Sequence, residues 1–368
     1  MGSQSLISRN PLLSGKMLVA LAVLAACAPC PAAPGEADSG KPDLVFRFAL
    51  QPDPANKAWE AANLMKQELE RRSNGKIKIL FYDSGVLGAE RQILETCYLG
   101  VIEMVQCTSS VYTTLDPRFS MLDLPYIFLN EEHHQRVMNG PVGQRLLDGL
   151  RRHRLQGIGF YTCGSRNMFI SGSKRPIHKP EDLAGLKIRV MESPVMIQSL
   201  RRFGASATPL SASELYTALK TGVVDGAENN PQVFVSARYT DSCKFYSKTR
   251  HFANQHAVAV NLKWFESLKP EYRTLIQQVA RDIVPEYNRR WDAAVEEAME
   301  EMVRRGVKIN DVSDEDIELF QEKVRPIYDE FASQGEMPEL VRLVREEWER
   351  MKREKETPER ADGGEAHR

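Results

Sequence analysis

The chain has 368 residues, 42% of them apolar and 27% charged, with 23 Gly and 20 Pro. It is too apolar for a disordered chain and too poor in glycine for a collagen-like one, and at roughly 100–200 residues per domain it predicts two domains. Forty-nine basic side chains stand against fifty acidic ones, with only six Cys, which excludes both a strongly basic nucleic-acid surface and a disulfide-dense scaffold.

The first segment reads as an address. Met1 to Lys16 carries Arg9 and Lys16 and no acidic residue, and the apolar run Met17–Ala26 that follows is only ten residues long. That is a signal-peptide core, too short to span a bilayer of ~30 Å. The run ends Leu24-Ala25-Ala26-Cys27, as in a bacterial lipoprotein box, with Cys27 lipidated and residues 1–26 removed. The alternative is ordinary cleavage near Pro31-Ala32-Ala33; both export the protein. Residues 27–42, rich in Ala, Pro and Gly, read as a flexible tether. No later stretch approaches the ~20 apolar residues of a spanning helix, so a soluble body is expected, held to the membrane only through a lipid on Cys27.

The body alternates strands and helices. Leu44–Leu50 is a strand candidate, followed by a helix with Ala58, Ala61, Ala62, Met65 and Leu69 on one face. Ser73-Asn74-Gly75 stops that helix, Lys76–Tyr82 is the next strand, Gly88–Leu99 a helix and Ile102–Gln106 a short strand. The rhythm argues for a sheet covered by helices on both faces. Gln156–Thr162, Asn167–Ser171, Leu186–Val190 and Ala257–Asn261 read as extended. Ser193-Pro194 supplies a cap and a first-turn proline for a helix through Phe203, and Ser211-x-x-Glu214 is a capping box for another. Pro270–Arg305 reads as one long helix bent at Pro285. Helices near 313–334 and 338–353 and a polar, disordered tail over 354–368 complete the chain.

Enzyme motifs are missing. There is no phosphate-binding GxxxxGK[ST], no GxGxxG between a strand and a helix and no GxSxG elbow. Glu131-Glu132-His133-His134 is not HExxH and reads as an exposed polar helix start. Cys97, Cys107, Cys163 and Cys243 could pair after export, with Cys97 and Cys107 near in sequence, but spacing does not define the connectivity. No cofactor or metal is expected.

Three stretches carry recognition: Gly164-Ser165-Arg166-Asn167, Leu183 to Val190 with Lys187-Ile188-Arg189-Val190, and Thr221 to Asn230 with Asp225-Gly226-Ala227-Glu228-Asn229. Together with Gly204–Leu210, Ser213–Leu219, Gly75–Ile79, Val86–Glu90 and Leu124-Pro125-Tyr126, they resemble the solute-binding proteins of tripartite ATP-independent periplasmic (TRAP) transporters over roughly residues 43–335. The resemblance implies an α/β, two-lobed periplasmic binding protein with a central cleft and a long bent helix across both lobes. Residues 43–163 with 254–294 would form one lobe and 164–253 with 295–335 the other, followed by a C-terminal helix over 336–353.

By the same resemblance Arg189 matches the arginine that grips the ligand carboxylate with two N–H groups, a task suited to a planar, always-charged guanidinium. Arg166 matches a second arginine at that carboxylate and Asn229 an amide that completes the grip. Glu90 and Gln255 match polar pocket positions, with Glu192 and Thr108 as further contacts. Trp59 and Tyr82 read as core aromatics. Ala212 departs from the family pattern, which often has an aromatic there, and Thr108 replaces the acidic residue of sialic-acid binders. Carboxylates at Glu90 and Glu192 would repel a second acid group and accept from sugar hydroxyls. The expected ligand is therefore a small organic acid, a uronate or aldonate ahead of a C4-dicarboxylate, delivered to the TRAP membrane subunits. A ligand-sensing ectodomain of a signalling receptor and a secreted enzyme acting on a carboxylate are the alternatives.

Overall fold

The computed structural model describes residues 41–356. The leader, Cys27, the tether up to residue 40 and the tail from 357 lie outside the described residues. Among those that are described, no helix is long and apolar enough to cross a membrane.

β1 (Leu44–Leu50) leads into α1 (Trp59–Arg72), which buries Ala61, Ala62, Met65 and Leu69 along one helical stripe. Asn74 and Gly75, both at positive φ, turn the chain into β2 (Ile77–Tyr82). α2 (Glu90–Tyr98) and β3 (Met104–Thr108) follow, and β1 pairs in parallel with both β2 and β3. Two 3-10 segments, Ser109–Thr114 and Pro117–Asp123, precede α3 (Glu131–Asn139) and α4 (Pro141–Gly149). Glu131 does begin a helix, but not an exposed one: His133 and His134 are each 1% exposed. Their rings are held by the Val344 carbonyl and the Gln255 side chain, each at 2.9 Å.

The two extended segments expected after Gln156 are one strand, β4 (Leu155–Ser171). β5 (Lys187–Val190), α5 (Pro194–Arg202), β6 (Ser206–Pro209), α6 (Ala212–Lys220), β7 (Gly226–Asn229) and α7 (Pro231–Ser236) follow in turn. Ser193 caps α5 by accepting from the Met196 N–H, and Ser211 and Glu214 form the expected capping box on α6. β8 runs from Cys243 to Asn261, well beyond the apolar Ala257–Asn261 segment. Its first half is polar because there it joins a different set of neighbours. α8 (Leu262–Ser267) and α9 (Pro270–Asp282) lead through Ile283, still in the helical region at φ −79°, to α10 (Val284–Arg304). Pro285 sits in the first turn of α10, where its missing N–H would have had no intrahelical partner. β9 (Lys308–Asp311), α11 (Asp314–Phe331) and α12 (Met337–Glu356) complete the fold, with α12 extending into the segment read as tail.

All nine strands form one sheet in the order β2-β1-β3-β8-β4-β7-β5-β6, with β9 also on β8. β4 and β8 are the antiparallel pair common to both halves. β3 pairs with Val260–His256 of β8, whereas β9 pairs with Phe245–Lys248 and β7 with Asn167–Ile170 of β4. The register between β4 and β8 shifts between Thr162 and Ser165 and again between Arg166 and Met168, around Gly164 at φ +66°. The result is a two-lobed α/β fold: β2-β1-β3 belong to the first lobe and β7-β5-β6 to the second. α9 packs on α1 and β4 and α10 on α7 and β9, so the bent helix spans both lobes. α12 returns to pack on α3 and α4. Cys97, Cys107, Cys163 and Cys243 are all buried free thiols.

Candidate functional site

The parallel strands of the two lobes place their carboxyl ends on a common crevice, the location where open α/β sheets bind ligands. It is a cavity of about 450 Å³, within the usual range of small-molecule sites. The loop after β1, the start of α2 and Thr108 line it from the first lobe. Arg189, Met191, Ala212, Ser213, Asn229 and Val233 line it from the second, while Arg166, Asn254 and His256 rise from β4 and β8 between them.

Arg189 points out of β5 and is 3% exposed. Its Nε and Nη2 donate to a single acceptor, the Leu210 carbonyl, at 3.0 and 2.7 Å. Among the described residues no carboxylate comes within ion-pairing distance of it. Burial lowers its pKa, opposed by the charge of Glu228. A buried cation without a counter-charge is expensive, and this one borders a cavity.

Arg166 is different. Its Nε and Nη2 reach the two oxygens of Glu228, and Nη2 also donates to the Glu228 carbonyl at 3.0 Å. Burial works against its charge, but the Glu228 carboxylate outweighs that and raises the pKa. Arg166 is thus neutralised within the protein. Asn229 follows directly; its Oδ1 accepts from the Asn230 N–H at 2.9 Å, which leaves Nδ2 as its donor.

A third group lies opposite, on the first lobe. Glu90 Oε1 accepts from the Thr108 N–H at 2.9 Å and from the Thr108 hydroxyl at 3.0 Å. Burial raises the Glu90 pKa. Thr108 Oγ1 is also 3.5 Å from His256 Nε2. Burial, helped by Arg166, pushes the His256 pKa down to about 4, so its ring is neutral. The cavity therefore has one cationic side, at Arg189, and one where Glu90, Thr108 and the neutral His256 ring supply hydrogen-bonding groups.

Glu90, Thr108, Arg166, Arg189 and Asn229 share the walls of this cavity, but two other sequence candidates do not. Gln255 faces the opposite side of β8, with Oε1 2.9 Å from His134 Nε2 and Nε2 donating to Ser109 Oγ. Its neighbours Asn254 and His256 line the cavity instead, as the two-residue period of a strand requires. Glu192 is exposed and lies outside the lining. Tyr239 is a further lining residue that sequence reasoning missed. Trp59 donates to Asp83 at 2.9 Å and packs against Phe81, away from the lining. In two further surface cavities among the described residues the charged side chains are exposed or already ion-paired. No group of three or more His, Cys, Asp or Glu among the described residues is placed to hold a metal.

Comparison with known proteins places the chain in a family and a fold. The family model described as bacterial extracellular solute-binding protein, family 7, matches residues 48–334. A solute-binding protein from Chromohalobacter salexigens is 31% identical over 291 residues, covering 79% of this chain and 84% of the relative. The crystal structure of a TRAP periplasmic solute-binding protein from Bradyrhizobium sp. BTAi1, in complex with D-galacturonate, superposes with a TM-score of 0.77 at 30% identity, covering 82% of this chain and 99% of that one. Another from Chromohalobacter salexigens, with bound D-glucuronate, gives 0.76 at 30% identity, covering 83% and 99%.

Proposed function

Because the chain belongs to the bacterial extracellular solute-binding proteins of family 7, we propose that it captures a hexuronate or closely related sugar acid and passes it to the membrane subunits of a TRAP transporter. The observation that carries this reading is Arg189, a buried guanidinium on the cavity wall with no carboxylate among the described residues to pair with. A ligand carboxylate supplies that counter-charge, and the fork of N–H groups fixes its orientation. Asn229 Nδ2 adds a donor, while Arg166, already held by Glu228, contributes positive field more than free charge.

The opposite side argues for hydroxyls. Glu90, Thr108 and the neutral His256 ring offer hydrogen-bonding partners to a sugar ring. Both crystallised relatives hold a hexuronate, which supports the sugar acid over a C4-dicarboxylate. The lobe boundaries we assign fall at the bulges of β4 and β8, so closure about these strands would bury the acid. Periplasmic location follows the family; lipid anchoring at Cys27 is our further proposal, resting on the Leu-Ala-Ala-Cys sequence.

The test is thermal unfolding of the mature chain with D-galacturonate, D-glucuronate, an aldonate and succinate, in wild type and Arg189→Ala. A ligand at ~100 times its dissociation constant stabilises the fold by about 2.7 kcal/mol. A shift with a uronate that vanishes in the variant supports the reading; a shift with succinate alone, or one that survives the substitution, refutes it.

A further inference from the structure

Gln232 lies on α7 in the second lobe, yet both ends of its side chain are bonded to the first. Its Nε2 donates to the Ala55 carbonyl at 2.8 Å, and its Oε1 accepts from the Lys57 N–H at 3.1 Å. The side chain is 6% exposed and is not part of the cavity lining. A primary amide carries a donor for the carbonyl and an acceptor for the N–H two residues on along the same loop; a carboxylate has no donor for the first, and an aliphatic chain meets neither.

Both partners are stiff. Asp53 Oδ1 accepts from the N–H groups of Ala55 and Asn56 at 2.9 and 3.1 Å, and Asn56 Oδ1 accepts from Ala58 at 3.0 Å, so the loop is shaped by its own side chains. Across the gap, Asn230 caps α7 through the Val233 N–H at 2.8 Å and ties it to the Cys163 carbonyl of β4 at 3.0 Å. Neither side can follow the other far, so the two bonds are made or broken with the relative position of the lobes.

The contact also sits at the rim of the cavity. Asp53 and Asn56 line it from the loop and Val233 from α7, one residue or two from the atoms that Gln232 joins. Asn229, which borders the cavity, is three residues before Gln232 on the same strand-to-helix turn. Movement that brings Asn229 to a ligand brings Gln232 to the loop.

We propose that Gln232 is a closure clasp, a positioning residue that sets the affinity and release rate for the acid without touching it. This rests on the reading that the cavity holds an acid between closing lobes. Where closure accompanies binding, weakening the closed form raises the observed Kd in proportion. Two neutral hydrogen bonds lost together imply about a tenfold effect, expressed mainly in dissociation because the bonds form after encounter.

The experiment uses the mature chain with D-galacturonate and D-glucuronate as probes, comparing wild type, Gln232→Ala and the near-isosteric Gln232→Glu by titration and stopped-flow release. Hydrogen exchange of the Lys57 amide is followed in each, with and without probe. The clasp predicts Kd raised about tenfold in Gln232→Ala and raised also in Gln232→Glu, which lacks the donor to Ala55, with faster release in both, an unchanged melting temperature without probe and faster Lys57 exchange in probe-bound Gln232→Ala. Wild-type Kd and release rate in Gln232→Glu overturn it, as they do in a folded Gln232→Ala. If neither uronate binds the wild type, the ligand reading fails. The clasp, which forms as the lobes close on the acid, falls with it, whereas uronate binding with wild-type Kd and release in both variants overturns the clasp alone.

Discussion

Arg166 and Glu228 form a two-point ion pair in the cavity wall, one 2% and the other 0% exposed. The pair leaves Arg189 as the unneutralised cation among the described cavity residues, so a ligand carboxylate would supply its counter-charge. Glu228→Gln would uncover a second buried cation. Removing one member of such a pair costs about 3–5 kcal/mol, so denaturant unfolding of the ligand-free variant should show a loss of that order. The stabilisation produced by a saturating uronate should become larger than in wild type, because the ligand's charge now serves two guanidinium groups. An unaltered ligand-induced shift would refute that division of labour.

Arg189 itself should respond in graded fashion. Arg189→Ala removes the partner of a desolvated carboxylate, which costs about 2–5 kcal/mol of binding and is predicted to weaken uronate affinity by roughly thirtyfold or more. Arg189→Lys retains a charge but loses the planar fork and should fall between the two. Calorimetric titration of the three proteins checks the order; a Lys variant equal to wild type would mean that charge alone suffices.

The fold was legible wherever one element saw one environment. The α1 stripe, the Ser193 cap, the Ser211–Glu214 box and the break at Pro285 each follow from local chemistry and stand in the structure. β4 and β8 were not, because each crosses from one lobe to the other. Ala257–Val260, buried on both faces, declares itself as a strand, while Cys243–Asn254 of the same strand is polar and bulged. α4 was also missed, and α3 was read as a helix start but an exposed one. His133 and His134 look like surface residues until the Val344 carbonyl, over two hundred positions away, is seen against His133. In the cavity, the resemblance pointed to Arg166, Arg189 and Asn229, all of which line it, but could not resolve which face of β8 turns inward.

That strand supplies a sharp comparison. Asn254 lines the cavity, whereas Gln255 is locked to His134 and Ser109 on the other face. Asn254→Ala should weaken uronate binding with little change in melting temperature. Gln255→Ala should leave two buried polar partners unsatisfied, lowering stability by about 1–3 kcal/mol with affinity nearly intact. Paired melting and titration measurements would separate these effects, and a loss of affinity confined to Gln255→Ala would invert the assignment.

Asp123 gives a pH signature. Its Oδ1 accepts from the Ser110 hydroxyl at 2.5 Å and its Oδ2 from the Ser193 hydroxyl at 2.6 Å, joining the turn after β3 to the cap of α5. Burial pushes its pKa up to about 6, despite those bonds and the field of Arg166, with Glu228 adding to the rise. Between the unfolded carboxyl's value near 4 and about 6, the folded state holds the proton more tightly. Its contribution is therefore fully present below pH ~4 and is lost as pH rises through about 6, a change of about 3 kcal/mol for a shift of roughly two units. His251 and His256, buried neutral with pKa values lowered to about 3 and about 4, oppose this trend, since their contribution is lost as pH falls. Asp123→Asn stays neutral throughout, and its amide can donate to one serine hydroxyl while accepting from the other. Denaturant unfolding of both proteins at intervals from pH 4 to 8 isolates the carboxyl, because the histidines are common to both. The stability of Asp123→Asn relative to wild type should climb from pH 4 to 6 and then level off; a difference that stays flat across that range would show that Asp123 is ionised at little cost.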